Sequence, residues 1–230
     1  VTPSILATIR SYARAVPGEV CGALVITLPN HAEFIPCANL SKFPDVCHFC
    51  PKDLAVAEDK GHLVGYVHTH DAGAVPSQTD IDFCRRSRKP WWIVSPDSWT
   101  RINSNLPLER RPFAWGVQDC YTLISDWFSE EGVVLPEFTR EPDFWKHGKN
   151  PYMDGIKVSD FEIVKGQPER GDIILMAIQS RDDIPNHAAV HVGNGEIIHH
   201  LPKRLSMVEL YDGIYQDATR AVVRRKRENN

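Results

Sequence analysis

The stretch HTHDAGAVPSQTD, residues 68–80, carries two histidines one residue apart and an aspartate ten positions after the second. It ends the apolar run HLVGYVHTH and leads into SQTDIDFCRRS. The run predicts a buried strand over 62–70, and the segment after it a helix over 77–87 capped by Ser77. Residues two apart on a strand point to one face, so His68 and His70 can reach the same point. Asp80, in the first turn of the helix, reaches that point once the loop folds back. Two imidazoles and a carboxylate around one open position make a catalytic zinc site. Water on such an ion has its pKa lowered to roughly 7 and becomes a nucleophile at neutral pH. A carboxylate outside the ligand set then serves as general base. Glu19, just before the apolar run VCGALVI, is the candidate. The plain alternative is a polar loop that happens to hold two histidines.

Outward from this unit, helices and strands intermix. Ile5, Leu6, Ile9 and Tyr12 fall at helical spacing and predict a helix over 3–15 with Thr2 or Ser4 as cap. Strands are predicted at 20–26, 33–37 and 90–95, and a helix at 51–59 with Pro51 in its first turn. Residues 1–105 therefore read as an α/β domain, a sheet flanked by helices. Cys47-His48-Phe49-Cys50 is a single CxxC with no second pair at suitable spacing, so a structural zinc there lacks ligands. The stretch NSNLPLERRP, 103–112, combines Asn, Ser, two prolines and charge with little to bury. A linker is placed at 106–112.

A second pattern fills 113–230. AWGVQDC leads into an amphipathic helix, YTLISDWFSEEG, ended by Gly132. Strands are predicted at 171–178, 187–194, 196–200 and 219–225, with Gly193-Asn194-Gly195 as a hairpin turn. Cys120 stands at the helix N-terminus, where the dipole and free N–H groups favour a thiolate. A nearby protonated histidine would add to this, and the expected thiol pKa falls to roughly 3.5–7.5. A thiolate nucleophile needs a histidine in reach and a third polar group to orient it. His187 opens one strand of the hairpin, and His199 or His200 ends its partner. Antiparallel pairing brings residues 187 and 199 near each other. His191 and His200 read as ordinary strand residues.

Composition bounds the function. Hydrophobic content of 42% and charged content of 24% belong to an ordinary globular chain. A net charge of −4 gives no polyelectrolyte signal, and a nucleic-acid role would need a local basic face. The basic run Arg224-Arg225-Lys226-Arg227 reads as a solvated tail. No apolar run approaches the ~18 residues that span a membrane. The N-terminal stretch lacks the basic region and apolar core of a signal peptide, so the six cysteines are expected to be reduced thiols.

PGEVCGALV, HTH and PSQTD together resemble the JAMM (Mov34/MPN, or JAB) metalloprotease domain, over about residues 1–100. The asparagine-led stretch CANLSKFPDVCHFCPKDL fits the same family. The resemblance implies a cytidine-deaminase-like sheet with helices and Glu19 as base. It further implies His68, His70 and Asp80 as zinc ligands and Ser77 as oxyanion stabiliser. The interval from His70 to Ser77 is one residue short of the family pattern, and Asp71 stands where proline is common.

FAWGVQDCYTLISDWF, then GDIILM and NHAAVHVGNGEIIHH, resemble the NlpC/P60 family of cysteine peptidases. The resemblance implies an α+β papain-like unit with Cys120 as nucleophile, His187 as base and His199 as the third polar residue. Tyr121 replaces a common serine, and Ala188-Ala189 a common Val-Gly. Such enzymes cut bacterial cell-wall stem peptides, often between γ-D-glutamate and diaminopimelate. Asp119, Arg140, Arg170 and Asp172 are candidate charged groups for so polar a substrate.

The order and lengths of the two halves resemble the tail tip assembly proteins of lambda-like tailed phages. That implies other tail tip proteins as partners and peptidoglycan or a peptide as substrate. It implies residence in the host cytoplasm during tail assembly, or at the virion tail tip. Two classes of function follow. One is a hydrolase with a thiol peptidase and a zinc peptidase domain; the other is a non-catalytic assembly chaperone or structural factor that keeps peptidase folds. A ubiquitin-type isopeptidase rests on JAMM analogy alone.

Overall fold

The computed structural model describes residues 1–43, 46–103, 105–180 and 183–226. It forms two units, Val1–Pro107 with Val134–Thr139, and Leu108–Val133 with Arg140–Asn230.

The first unit begins with α1 (Pro3–Ala15), where the Thr2 hydroxyl accepts from the Ile5 N–H at 3.2 Å. Then come β1 (Cys21–Leu28), β2 (His31–Cys37), α2 (Pro51–Asp59), β3 (His62–Thr69), α3 (Gln78–Ser87), β4 (Trp91–Val94) and β5 (Trp99–Ile102). The strands form one sheet in the order β2-β1-β3-β4-β5. Only the β3–β4 pair is parallel, and α3 is its crossover. Gly65 lies in that pair: a Cβ there would meet the Trp92 ring at 2.4 Å and the Pro90 carbonyl at 2.6 Å. This close approach explains a glycine in the middle of the strand. Ala23, Val25, Ile35, Ala57 and Leu63 pack α2 onto the sheet.

The second unit comprises α4 (Cys120–Glu130), a 3-10 turn (Phe144–His147), α5 (Pro151–Lys157), β6 (Phe161–Val164), β7 (Ile173–Met176), β8 (His187–Gly193), β9 (Glu196–His199), β10 (Met207–Leu210), α6 (Gly213–Ala218) and β11 (Thr219–Arg225). Its sheet runs β10-β9-β8-β7-β11-β6, antiparallel at every step. The β8–β9 turn places Gly193, Asn194 and Gly195 at positive φ, which the Gly-Asn-Gly sequence permits. Helix α4 packs against β8 and β9.

Two expectations fail. Arg111, in the stretch read as having little to bury, is buried. Its N–H donates to Ser206 Oγ at 2.9 Å and its guanidinium pairs with Asp126 of α4. Arg224 is no solvated tail residue. It lies in β11 and grips both oxygens of Asp172, at 2.8 and 2.7 Å, with Glu169 beside it. Arg227 of that run lies outside the described residues. Among the described residues no helix is long and apolar enough to cross a membrane.

Candidate functional site

Each unit gathers one constellation. In the first, the end of β3 delivers His68 and His70. The strand is held on both sides, with Cys21 opposite His68 on β1 and Ile93 opposite it on β4. The His70 N–H donates to the Val94 carbonyl at 3.0 Å. Glu19 precedes β1, where Val20 and Thr69 exchange hydrogen bonds between backbone and hydroxyl. Asp80 is the third residue of α3 and closes a capping box with Ser77. Local chemistry and strand register thus converge on one place.

The structure brings Glu19, His68, His70, Ser77 and Asp80 together. His68 Nε2 lies 2.7 Å from Glu19 Oε2, and its Nδ1 lies 3.0 Å from Asp80 Oδ1. His70 Nε2 is 3.4 Å from Asp80 Oδ2. Ser77 Oγ donates to that same Asp80 oxygen at 2.8 Å, so its hydroxyl orients the carboxylate. Burial works against a charged His68, but Asp80 and Glu19 outweigh it and raise its pKa to about 9. Burial also opposes the Asp80 charge, yet His68 and Ser77 hold it at about 2. Two carboxylates here face two imidazoles and call for positive charge between them. The ligand atoms of Glu19, His68 and His70 lie within 4.8 Å of one another, a grouping able to hold a metal ion in which Glu19 stands where the resemblance implies Asp80. Cys47 does not join them; it packs with Cys21 and Cys37 in a separate buried cluster.

The second constellation starts at the N-terminus of α4. Asp119 caps the helix by accepting from the Thr122 N–H at 3.0 Å, while the Asp119 N–H donates to Thr122 Oγ1 at 2.7 Å. Its other oxygen accepts from the Gly116 N–H at 2.8 Å and from Arg140 Nε at 2.9 Å. Cys120 follows, buried, with Sγ 3.1 Å from the Tyr152 hydroxyl. The Ala188 N–H faces the same sulfur, which sets the start of β8 beside it. His187 Nε2 lies 3.0 Å from His199 Nδ1.

The ionisation differs from the sequence expectation. Burial and the Asp119 carboxylate push the Cys120 thiol up to about 11, against the help of Tyr152 and the Ala188 N–H. Burial, with His199 and His200 nearby, drives the His187 pKa well below its usual value. The resting pair is therefore a neutral thiol and a neutral imidazole, not an ion pair.

The four charged residues expected to meet substrate are engaged elsewhere. Asp119 and Arg140 pair with each other, Asp172 holds Arg224, and the Arg170 guanidinium lies 4.8 Å from the centre of the Trp127 ring. Two residues at the Cys-His site carried no sequence signal. Tyr152 lies within the polar, Pro-rich and aromatic stretch 135–170, which has no periodicity. Glu209, whose Oε2 is 2.7 Å from His199 Nε2, sits in a strand of four residues.

Comparison with known proteins bears on both units. The profile of the NlpC/P60 family matches residues 110–224, and that of prokaryotic homologs of the JAB domain matches residues 2–105. Tail tip assembly protein K of Escherichia phage lambda is 35% identical over 179 residues, covering 76% of this chain and 88% of that protein. Tail tip assembly protein K of Escherichia phage N15 is 34% identical over 233 residues, covering 97% and 94%. A crystal structure of a lipoprotein-like NLP/P60 family member from Staphylococcus aureus gives a TM-score of 0.40 at 14% identity, over 69% of this chain and 46% of that one. The N-terminal unit is JAB-like and α/β, and the C-terminal unit is an α+β NlpC/P60 domain. With that domain order and identity above a third along most of both proteins, the chain belongs to the tail tip assembly protein K family.

Proposed function

We propose that the protein is a tail tip assembly factor that is also a peptidase, the second unit serving as a thiol peptidase domain and the first as a zinc-dependent JAMM peptidase domain. The observation that supports this reading is the His187 Nε2–His199 Nδ1 contact of 3.0 Å, together with the Ala188 N–H, next to His187 in the chain, at the Cys120 sulfur. His187 takes the proton from Cys120 Sγ as the sulfur attacks the scissile carbonyl carbon. It then gives that proton to the departing amine, and water hydrolyses the thioester. His199 orients His187. Starting from a neutral pair, the transfer occurs within the attack, as for a serine nucleophile.

In the first domain His68, His70 and Asp80 would hold Zn2+, which supplies Lewis acidity. Glu19 serves as the proton acceptor at Oε2, and Ser77, whose hydroxyl rests on Asp80, serves as the oxyanion stabiliser. The substrate of the thiol domain is the peptide stem of peptidoglycan, and its partners are other tail tip proteins. The protein acts in the host cytoplasm during tail assembly or at the virion tail tip.

A second reading, a non-catalytic assembly factor that keeps peptidase folds, is favoured by one observation: the Cys120 thiol is buried, which pushes its pKa up to about 11. One experiment separates the two. Purified Gram-negative peptidoglycan is digested with wild type, Cys120→Ala and chelator-treated wild type, and the products are read by mass spectrometry. Stem-peptide fragments that vanish in Cys120→Ala and survive chelation support the thiol peptidase. Their absence with folded wild type supports the assembly factor.

A further inference from the structure

Beyond the His187–His199 pair, the sheet adds one more residue in line. The register pairs Ala189 with His199 across β8–β9, and His199 with Met207 across β9–β10. His187 is two residues from Ala189, and Glu209 two from Met207. Both therefore lie diagonal to His199 on one face of three adjacent strands. Contacts follow the diagonal: His187 Nε2 to His199 Nδ1 at 3.0 Å, and His199 Nε2 to Glu209 Oε2 at 2.7 Å.

Proton placement along this chain is determined by its last member. Glu209 accepts from the Tyr215 hydroxyl at 2.7 Å on Oε2 and from Arg204 Nη2 at 2.9 Å on Oε1. Burial opposes its charge, but Arg204, Tyr215 and His199 hold its pKa at about 2. An ionised carboxylate only accepts, so His199 carries its proton on Nε2. His199 Nδ1 is then a bare acceptor, and His187 must donate to it from Nε2. That leaves the lone pair of His187 on Nδ1, the nitrogen that, on the thiol peptidase reading, would take the Cys120 proton. Without the carboxylate His199 is free to hold its proton on Nδ1. His187 would then carry its own on Nδ1 and could accept nothing from Cys120.

We propose that Glu209 is a positioning residue that fixes the tautomers of His199 and, through it, of His187. The consequence for catalysis rests on the thiol peptidase reading; the tautomer claim does not.

The test is Glu209→Gln in the full chain. The amide oxygen is drawn to Arg204, which turns the NH2 group toward His199 Nε2 as a donor and reverses the relay. Long-range 1H–15N correlation spectra of histidine-labelled protein at pH 7 read the tautomers directly. Wild type should show both His187 and His199 protonated at Nε2, and the variant should move both toward Nδ1–H. The kcat on peptidoglycan should fall about 100-fold with KM unchanged, a weaker, one-ring-removed version of a lost triad carboxylate. A wild-type His199 protonated at Nδ1, or unchanged tautomers in folded Glu209→Gln, overturns the proposal. If the wild type cleaves nothing while the tautomers shift as stated, the positioning role stands and the peptidase reading falls.

Discussion

Asp119 and Arg140 form a fully buried ion pair, with Arg140 Nε 2.9 Å from Asp119 Oδ2, directly before the residue that presents the thiol. Removing one partner strands a charge, so Arg140→Leu should cost roughly 3–5 kcal/mol in denaturant unfolding. The Asp119→Leu/Arg140→Leu double variant should recover part of this loss. Burial opposes the Asp119 charge, yet Arg140 and the Thr122 and Gly116 N–H groups hold its pKa at about 2. The folded value is depressed relative to an unfolded value of about 3.9. This stabilisation is therefore fully present above the unfolded pKa and is lost as pH falls through about 2. An acid titration with the midpoint unchanged between wild type and the double variant would contradict it.

Cys120 alkylation should report a protonated resting thiol. With a pKa of about 11, the rate at this residue, followed by peptide mapping, should rise about tenfold per pH unit from 7.5 to 9.5. A plateau near neutrality would instead indicate the low-pKa thiolate that a helix N-terminus alone suggests.

Tyr152→Phe removes the hydroxyl 3.1 Å from Cys120 Sγ. Burial keeps that phenol neutral and able to donate to a forming thiolate. A lost hydrogen bond of about 1.5 kcal/mol predicts roughly tenfold slower Cys120 alkylation at fixed pH, and unfolding stability lowered by no more than about that amount. Equal alkylation rates in both proteins would remove Tyr152 from the site.

The metal site divides its residues by effect. His68→Ala should weaken zinc binding by more than about 100-fold, read by elemental mass spectrometry after dialysis. Ser77→Ala, which frees the Asp80 carboxylate, should cost about 10–100-fold. Glu19→Gln should retain zinc while losing metal-dependent cleavage. Loss of zinc in that variant would make Glu19 a ligand.

Much of this was legible because the signals were local. The helices over 3–15 and 51–59 match the structure, the first because its apolar residues repeat at helical spacing and the second because Pro51 opens it. The hairpin that sets His187 against His199 followed from Gly-Asn-Gly between apolar runs. What escaped depends on distant partners. The strand MVEL is short and half exposed, so nothing in it marks Glu209 as a neighbour of His199. Arg111 reads as linker charge until Asp126, on a different element, is set against it. The Cys120 thiol failed in another way: its place at a helix start is visible in sequence, but the burial that opposes ionisation is not.

The short segment Val134–Thr139 belongs to the first unit although it follows α4 of the second. It carries Glu137, whose Oε1 lies 3.0 Å from Arg101 Nε on β5. During synthesis, the leading half therefore lacks this carboxylate until the ribosome has also made the helix that bears Cys120. A fragment cut at residue 107 should be less stable than the same unit within the full chain. Exchange of halves between relatives must likewise transfer two separate pieces of sequence, not one.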